Sequence, residues 1–188
     1  MGLDPFITKL ILTTTKIIHQ KTMATFSNCG KYRFKLWRTQ GASDENQKPN
    51  ILFIMLNPST GSENKDDKTI RILRYITDKW NYGNIYVGNI YPYCSSKPDT
   101  LKTLEIPHEI LEENINHIRQ MVTLCDLVVY AWGTKGPLGE KQIEPEWLKT
   151  IVNKTVYCIG TSVKGVPKHP SQWGDWKKSI PETPLLFR

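Results

Sequence analysis

The stretch Ile51-Leu52-Phe53-Ile54-Met55-Leu56 limits the fold more than any other part of the chain. Six consecutive apolar residues leave no polar face, so a strand made from them must be covered on both sides. Strands of that kind lie inside parallel sheets with helices packed on each face. Three further short apolar runs follow: "NIYVGNI" (84–90), "DLVVYAW" (126–132) and "TVYCIG" (155–160). Helical spacing separates them. Ile70, Leu73, Ile76 and Trp80 follow a capping Asp67; Leu111, Ile115, Ile118 and Val122 fall on one face of a helix over 108–123; a short helix fits 144–152. Upstream, "KYRFKLWR" (31–38) alternates. Tyr32, Phe34 and Leu36 fall on one side and Lys31, Arg33, Lys35 and Arg38 mostly on the other, which predicts a half-exposed strand. The polar run 40–50 reads as a loop. The expected architecture is α/β, in three layers. A mainly parallel four-stranded central sheet carries helices on both faces and an N-terminal edge strand, with right-handed crossovers.

A chain of 188 residues suits one domain. Residues 1–24 read as an extension and 25–188 as a single α/β domain. The apolar run of the extension is broken by Lys9 and Lys16 and makes a poor signal peptide. No stretch reaches the ~20 apolar residues of a membrane span. Cys29, Cys94, Cys125 and Cys158 are scattered, with no C-x-x-C pair. That spacing argues against zinc and for reduced thiols in a cytoplasmic protein, with a four-thiolate iron–sulfur cluster as the alternative. The formal charge of +7 permits nucleic-acid binding without requiring it.

Open α/β sheets bind ligands beyond the carboxyl ends of their strands. Four exits are expected there: Asn57-Pro58-Ser59-Thr60-Gly61, Asn89-Ile90-Tyr91-Pro92-Tyr93, Trp132-Gly133-Thr134-Lys135-Gly136, and "GTSVKGVPKHPSQW" (160–173). Each alone is ordinary turn chemistry. Four at one edge make a candidate site.

The run "LNPSTGSENKDDKTIR", followed by "WNYGNIYVGNIY", "AWGTKG" and "GVPKHP", resembles the family known as domain of unknown function 1643. Over about residues 50–175 the order of exits also resembles the uracil-DNA glycosylase superfamily. Its strands end in a G-Q-D-P-Y or G-I-N-P-G motif, a base-reading asparagine, an L-W-G and an H-P-S-P-L. The corresponding residues here are Asn57-Pro58-Ser59, Asn89, Trp132-Gly133 and His169-Pro170-Ser171-Gln172-Trp173.

That second resemblance implies a uracil-DNA glycosylase-like fold and a monomeric DNA glycosylase that hydrolyses the N-glycosidic bond of a flipped-out pyrimidine. The reaction needs no metal and no cofactor. Asn57, an amide and a poor proton acceptor, would orient the attacking water. His169 would donate to the pyrimidine O2, where negative charge develops. Asn89 would read the base edge, and Tyr91 would either stack on it or belong to the core or rim. Ser59 stands where uracil-specific enzymes carry a tyrosine; its small size leaves room for a 5-substituted, phage-type pyrimidine. Ser171 would hold a phosphate and Trp173 would act as an inserted wedge. Lys164, Lys168 and Arg71 would meet flanking phosphates. Both repair and defence against phages with modified DNA fit such an activity. Two other classes stay open: a nucleic-acid-binding module without catalysis, and a hydrolase of free nucleotides whose own phosphate the basic loop would hold.

Overall fold

The computed structural model describes residues 22–39, 48–59, 66–138 and 144–188. Residues 1–21 of the expected extension, the loop over 40–47, and Thr60 and Gly61 lie outside the described residues.

The fold is α/β. Seven strands form one sheet: β1 (Thr22–Phe26), β2 (Arg33–Arg38), β3 (Ile51–Met55), β4 (Ile85–Asn89), β5 (Leu127–Tyr130), β6 (Val156–Cys158) and β7 (Leu185–Leu186). Their spatial order is β1-β2-β4-β3-β5-β6-β7. The β3–β4, β3–β5 and β5–β6 pairings are parallel. The β1–β2, β2–β4 and β6–β7 pairings are antiparallel.

The sheet is therefore larger and more mixed than the four-stranded expectation. Long apolar runs report only strands buried on both faces, and the added strands lack them. β1 reads "TMATF", and β7 is two exposed leucines. β2 is not the edge either, because β1 covers its outer side. The expected division after residue 24 also falls inside β1.

The β3 run is explained by two apolar clusters. Leu52 and Ile54 join Val128, Tyr130 and the helical residues Ile118, Met121 and Val122. Ile51, Phe53 and Met55 join Val87, Val129 and the helical residues Ile70, Leu73 and Ile76. Side chains alternate across a strand, so each face of the sheet has its own core. The helices involved are α1 (Lys68–Lys79) and α2 (His108–Leu124); α3 (Glu146–Ile151) and α4 (Trp176–Ser179) are shorter. At the start of α1, Asp67 Oδ1 accepts from the Ile70 backbone N–H at 2.8 Å, the expected cap. At its end, Trp80 Nε1 donates to Pro181 O at 3.0 Å. Among the described residues no helix is long and apolar enough to cross a membrane.

The cations of β2 depart from the alternating pattern. Arg33 is 8% exposed and Arg38 only 1%. Arg38 has the parity of Phe34 and Leu36 and shares their buried face, whereas Arg33 lies against the cavity described below. Arg38 Nε donates to Asp66 Oδ1 at 2.9 Å, and Arg74 Nε donates to the other carboxylate oxygen. Arg74 Nη1 continues to Thr39 O at 2.7 Å. Burial alone pushes the Asp66 carboxyl up; the hydrogen bonds and charges of Arg38 and Arg74 outweigh it and hold the carboxyl below its ordinary value. Its stabilisation is present above the ordinary pKa of 3.8 and is lost as the pH falls from there through the lowered folded value. Asp66→Asn strands buried positive charge. Chemical denaturation should show a loss of about 2–4 kcal/mol, below the ~3–5 kcal/mol of a fully buried pair because Asp66 is part-exposed.

Candidate functional site

Register sets the site. Met55 lies opposite Asn89, and Ile54 opposite Tyr130, so the exits of β3, β4 and β5 leave the sheet level with one another. A cavity of about 300 Å³ opens at this edge. It brings together Asn57, Ser59, Asn89, His169 and Ser171 from three distant stretches of chain.

Asn57 is held by its amide nitrogen, which donates to Pro58 O at 3.0 Å, Tyr93 O at 3.4 Å and Ser95 O at 2.8 Å. Only an NH₂ group suits three carbonyl acceptors, so the orientation of the amide is fixed. Its Oδ1 accepts no hydrogen bond from the described residues. The Ser59 hydroxyl donates to Asp67 Oδ2 at 2.9 Å. Asp67 thus has two tasks: one oxygen caps α1, and the carboxylate lines the cavity. Asn89 is 1% exposed. Its backbone carbonyl accepts from Asn114 Nδ2 at 2.9 Å, while its own side-chain Nδ2 is buried without a partner.

His169 starts a short 3-10 turn over Pro170–Gln172. Its Nδ1 accepts from the Ser171 backbone N–H at 3.1 Å and lies 2.8 Å from Ser171 Oγ. An imidazole nitrogen that accepts carries no proton, so the proton sits on Nε2. Burial pulls the His169 pKa down to about 4, against the pull of Asp67, and Lys135 adds to the lowering. The ring is a neutral donor at physiological pH.

The loop is clasped to the β5 exit. Gln172 Oε1 accepts from the His169 backbone N–H at 2.7 Å, and Gln172 Nε2 donates to Thr134 Oγ1 at 3.2 Å. The Gly133 N–H donates to Pro167 O at 2.9 Å. Gly133 has φ +77°, and a Cβ there would stand 2.8 Å from His169 Cβ. Glycine after the "YAW" strand is what lets the histidine come this close.

Other expected residues lie elsewhere. Tyr91 lines a second cavity with Leu111, Ile115 and Trp147. The chain bends at Ile90 and Tyr91, so the strand alternation that would put Tyr91 beside Asn89 stops there. Trp173 is half-buried and packs on the cluster that holds Phe53 and Met55. Its ring lies where a Cβ on Gly160 would come within 2.9 Å, and Lys168 Nζ sits 4.8 Å from the ring centroid. The indole is folded inward rather than presented as a wedge. Arg71 and Lys164 are exposed and do not line the cavity; nor does Lys168.

The sequence reading gives no role to Lys135 or Arg33, two charged residues of the cavity lining. Lys135 stood within the quoted β5 exit. Alternation makes Arg33 an outward cation, and only the tertiary packing that forms the cavity reveals it as buried.

A family model described as "Protein of unknown function (DUF1643)" matches residues 33–171. The chain belongs to this family. The DUF1643 match opens on Arg33 and closes on Ser171, both of which line the cavity. No curated protein matches the chain.

Two measurements probe this DUF1643 site. An NMR titration should place the His169 midpoint near 4, and a midpoint near the ordinary 6.5 would contradict the desolvation of this half-buried ring. Gly133→Ala should lower stability by about 1–3 kcal/mol through left-handed strain. It should also shift the His169 ring resonances, because the new methyl displaces that residue.

Proposed function

We propose that the cavity receives a pyrimidine turned out of DNA and that the protein hydrolyses its N-glycosidic bond, leaving an abasic site. The observation that carries this reading is the meeting of Asn57, Asn89 and His169 in one cavity at the carboxyl edge of the sheet. The cavity, about 300 Å³, is at the small end for ligand sites and suits a single nucleoside.

The chemistry follows from the atoms presented. As the bond between C1′ and the base nitrogen breaks, its electron pair moves onto the base and spreads to O2. The Nε2–H of neutral His169 donates to that oxygen, an interaction stronger in the transition state than in the ground state. The sugar becomes an oxocarbenium ion, and the Asp67 carboxylate stabilises its positive charge. Water held by Asn57 Oδ1 adds to C1′, and the proton it releases passes by way of Asp67 to the departing base. Asn89 Nδ2, a donor without a partner, meets an acceptor on the base edge. Ser171 is exposed at the mouth, where a backbone phosphate would lie. Lys164, Lys168, Lys177 and Lys178 add positive charge in the same C-terminal segment. Ser59, turned onto Asp67, leaves its slot to a small hydroxyl, which favours a 5-substituted base. Removal of such bases fits defence against phages with modified DNA, or repair.

The test is to incubate the protein with genomic DNAs carrying different modified pyrimidines, identify any released base by mass spectrometry and count abasic sites. His169→Ala should reduce turnover about 10²–10³-fold, the usual effect of losing such a donor. Asp67→Asn keeps the helix cap, because asparagine caps as well as aspartate. It should reduce turnover about 10²-fold with DNA affinity retained. No released base from any substrate, or unchanged turnover in both variants, refutes the reading.

A further inference from the structure

We propose that Arg33 and Asn89 form an oxyanion subsite inside the cavity, which takes a carboxylate or phosphate group carried by the ligand itself. The inference goes beyond N-glycosidic cleavage and stands whether or not that bond is cut.

Arg33 is the starting point. It lines the cavity, it is 8% exposed, and its Nε is fully buried with no partner. No hydrogen bond or ion pair joins its guanidinium to a described residue. A guanidinium is always charged in a protein, and burying one uncompensated is strongly unfavourable. Its neighbour on the same strand shows what a satisfied buried arginine looks like: Arg38 is held by Asp66 and by the carbonyl of Trp37. The nearby carboxylates are already engaged. Asp66 serves Arg38 and Arg74. Asp67 accepts from Ile70 N and Ser59 Oγ, and it reaches Arg33 only as a through-space charge.

Asn89 is the second, independent observation. Its Nδ2 is buried, lacks a partner and belongs to a residue lining the same cavity. Unsatisfied donors on residues of one cavity, with Trp132 Nε1 a third, call for an acceptor-rich group, and the charge favours an anion. Arg33, Arg38, Arg74 and Lys135 against Asp66 and Asp67 leave an excess of two positive charges around the cavity. Desolvation pulls Arg33 below its ordinary value, in the direction that a bound anion would reverse. The depth of burial matters as well. A phosphate of a DNA backbone remains at the mouth beside Ser171, so an oxyanion that reaches Arg33 is attached to the base or belongs to a free nucleotide.

The experiment is calorimetric titration of the full chain at constant ionic strength with two matched pairs. One is 2′-deoxycytidine against 5-carboxy-2′-deoxycytidine; the other is thymidine against thymidine 5′-monophosphate. In at least one pair the anionic member should bind ten times or more tightly than its neutral parent. A gain in the first pair assigns the oxyanion to the base, and a gain in the second to a free nucleotide. Arg33→Gln should abolish the gain, whereas Lys149→Ala, an exposed lysine outside the cavity, should keep it. Without ligand, Arg33→Gln should unfold at the same denaturant midpoint as the parent or a higher one, because it removes an unpaired buried charge. The proposal is overturned if neither anionic ligand gains, if Arg33→Gln retains the gain, or if that variant unfolds at a lower midpoint. Failure to release any base from DNA bears on the proposed activity and leaves these outcomes unchanged.

Discussion

The parallel pairing of β3 with β4 and β5 is the constraint on which the site rests. Hydrogen bonds between these strands keep Met55 level with Asn89 and Ile54 level with Tyr130. The next residues of each strand must therefore leave the sheet side by side. A slip of one residue would turn Asn89 to the opposite face and exchange the two sets of core side chains. Because Ile51, Phe53 and Met55 serve one cluster while Leu52 and Ile54 serve the other, such a slip is opposed along the whole of β3. Core packing and placement of the site are one and the same requirement here.

The His169 loop is attached by different means. Beyond the packing of Val166 and Trp173 on the two cores, it is clasped by directed bonds: Gln172 to Thr134, Gly133 N–H to Pro167 O, and the imidazole to its own backbone. Such bonds are individually modest but selective in geometry. They fix the tautomer of the ring as well as its position. A loop held in this way brings a defined N–H to the cavity, as preorganised electrostatic stabilisation requires.

The central strands and main helices were legible because their signals are local. A six-residue apolar run, a capping Asp67 and helical spacing need no knowledge of the rest of the chain. The sheet edges were not legible. β7 is two exposed residues, and β1 acquires meaning only through its pairing with β2. The same blindness hid Arg33 and Arg38: alternation marks which residues share a face, whereas burial of that face depends on what packs there. Among the cavity residues, Asn57, Ser59, Asn89 and His169 could be named because strand exits are where such sheets hold ligands. Tyr91 and Trp173 could not be placed from sequence. A bend after Asn89 and a seat opposite Gly160 are tertiary facts.

Asn57 carries an implication for the routes open to this scaffold. Aspartate differs from it by one atom and, in the genetic code, by a single nucleotide. Yet the NH₂ group of Asn57 faces the carbonyl oxygens of Pro58, Tyr93 and Ser95. An aspartate would set an oxygen lone pair against each of them, which only protonation or a shift of the backbone would relieve. The loops from β3 and β4 are thus built around an amide. A lineage that exchanged this residue for an acid would have to remodel both turns at once, so the smallest genetic step is a large architectural one.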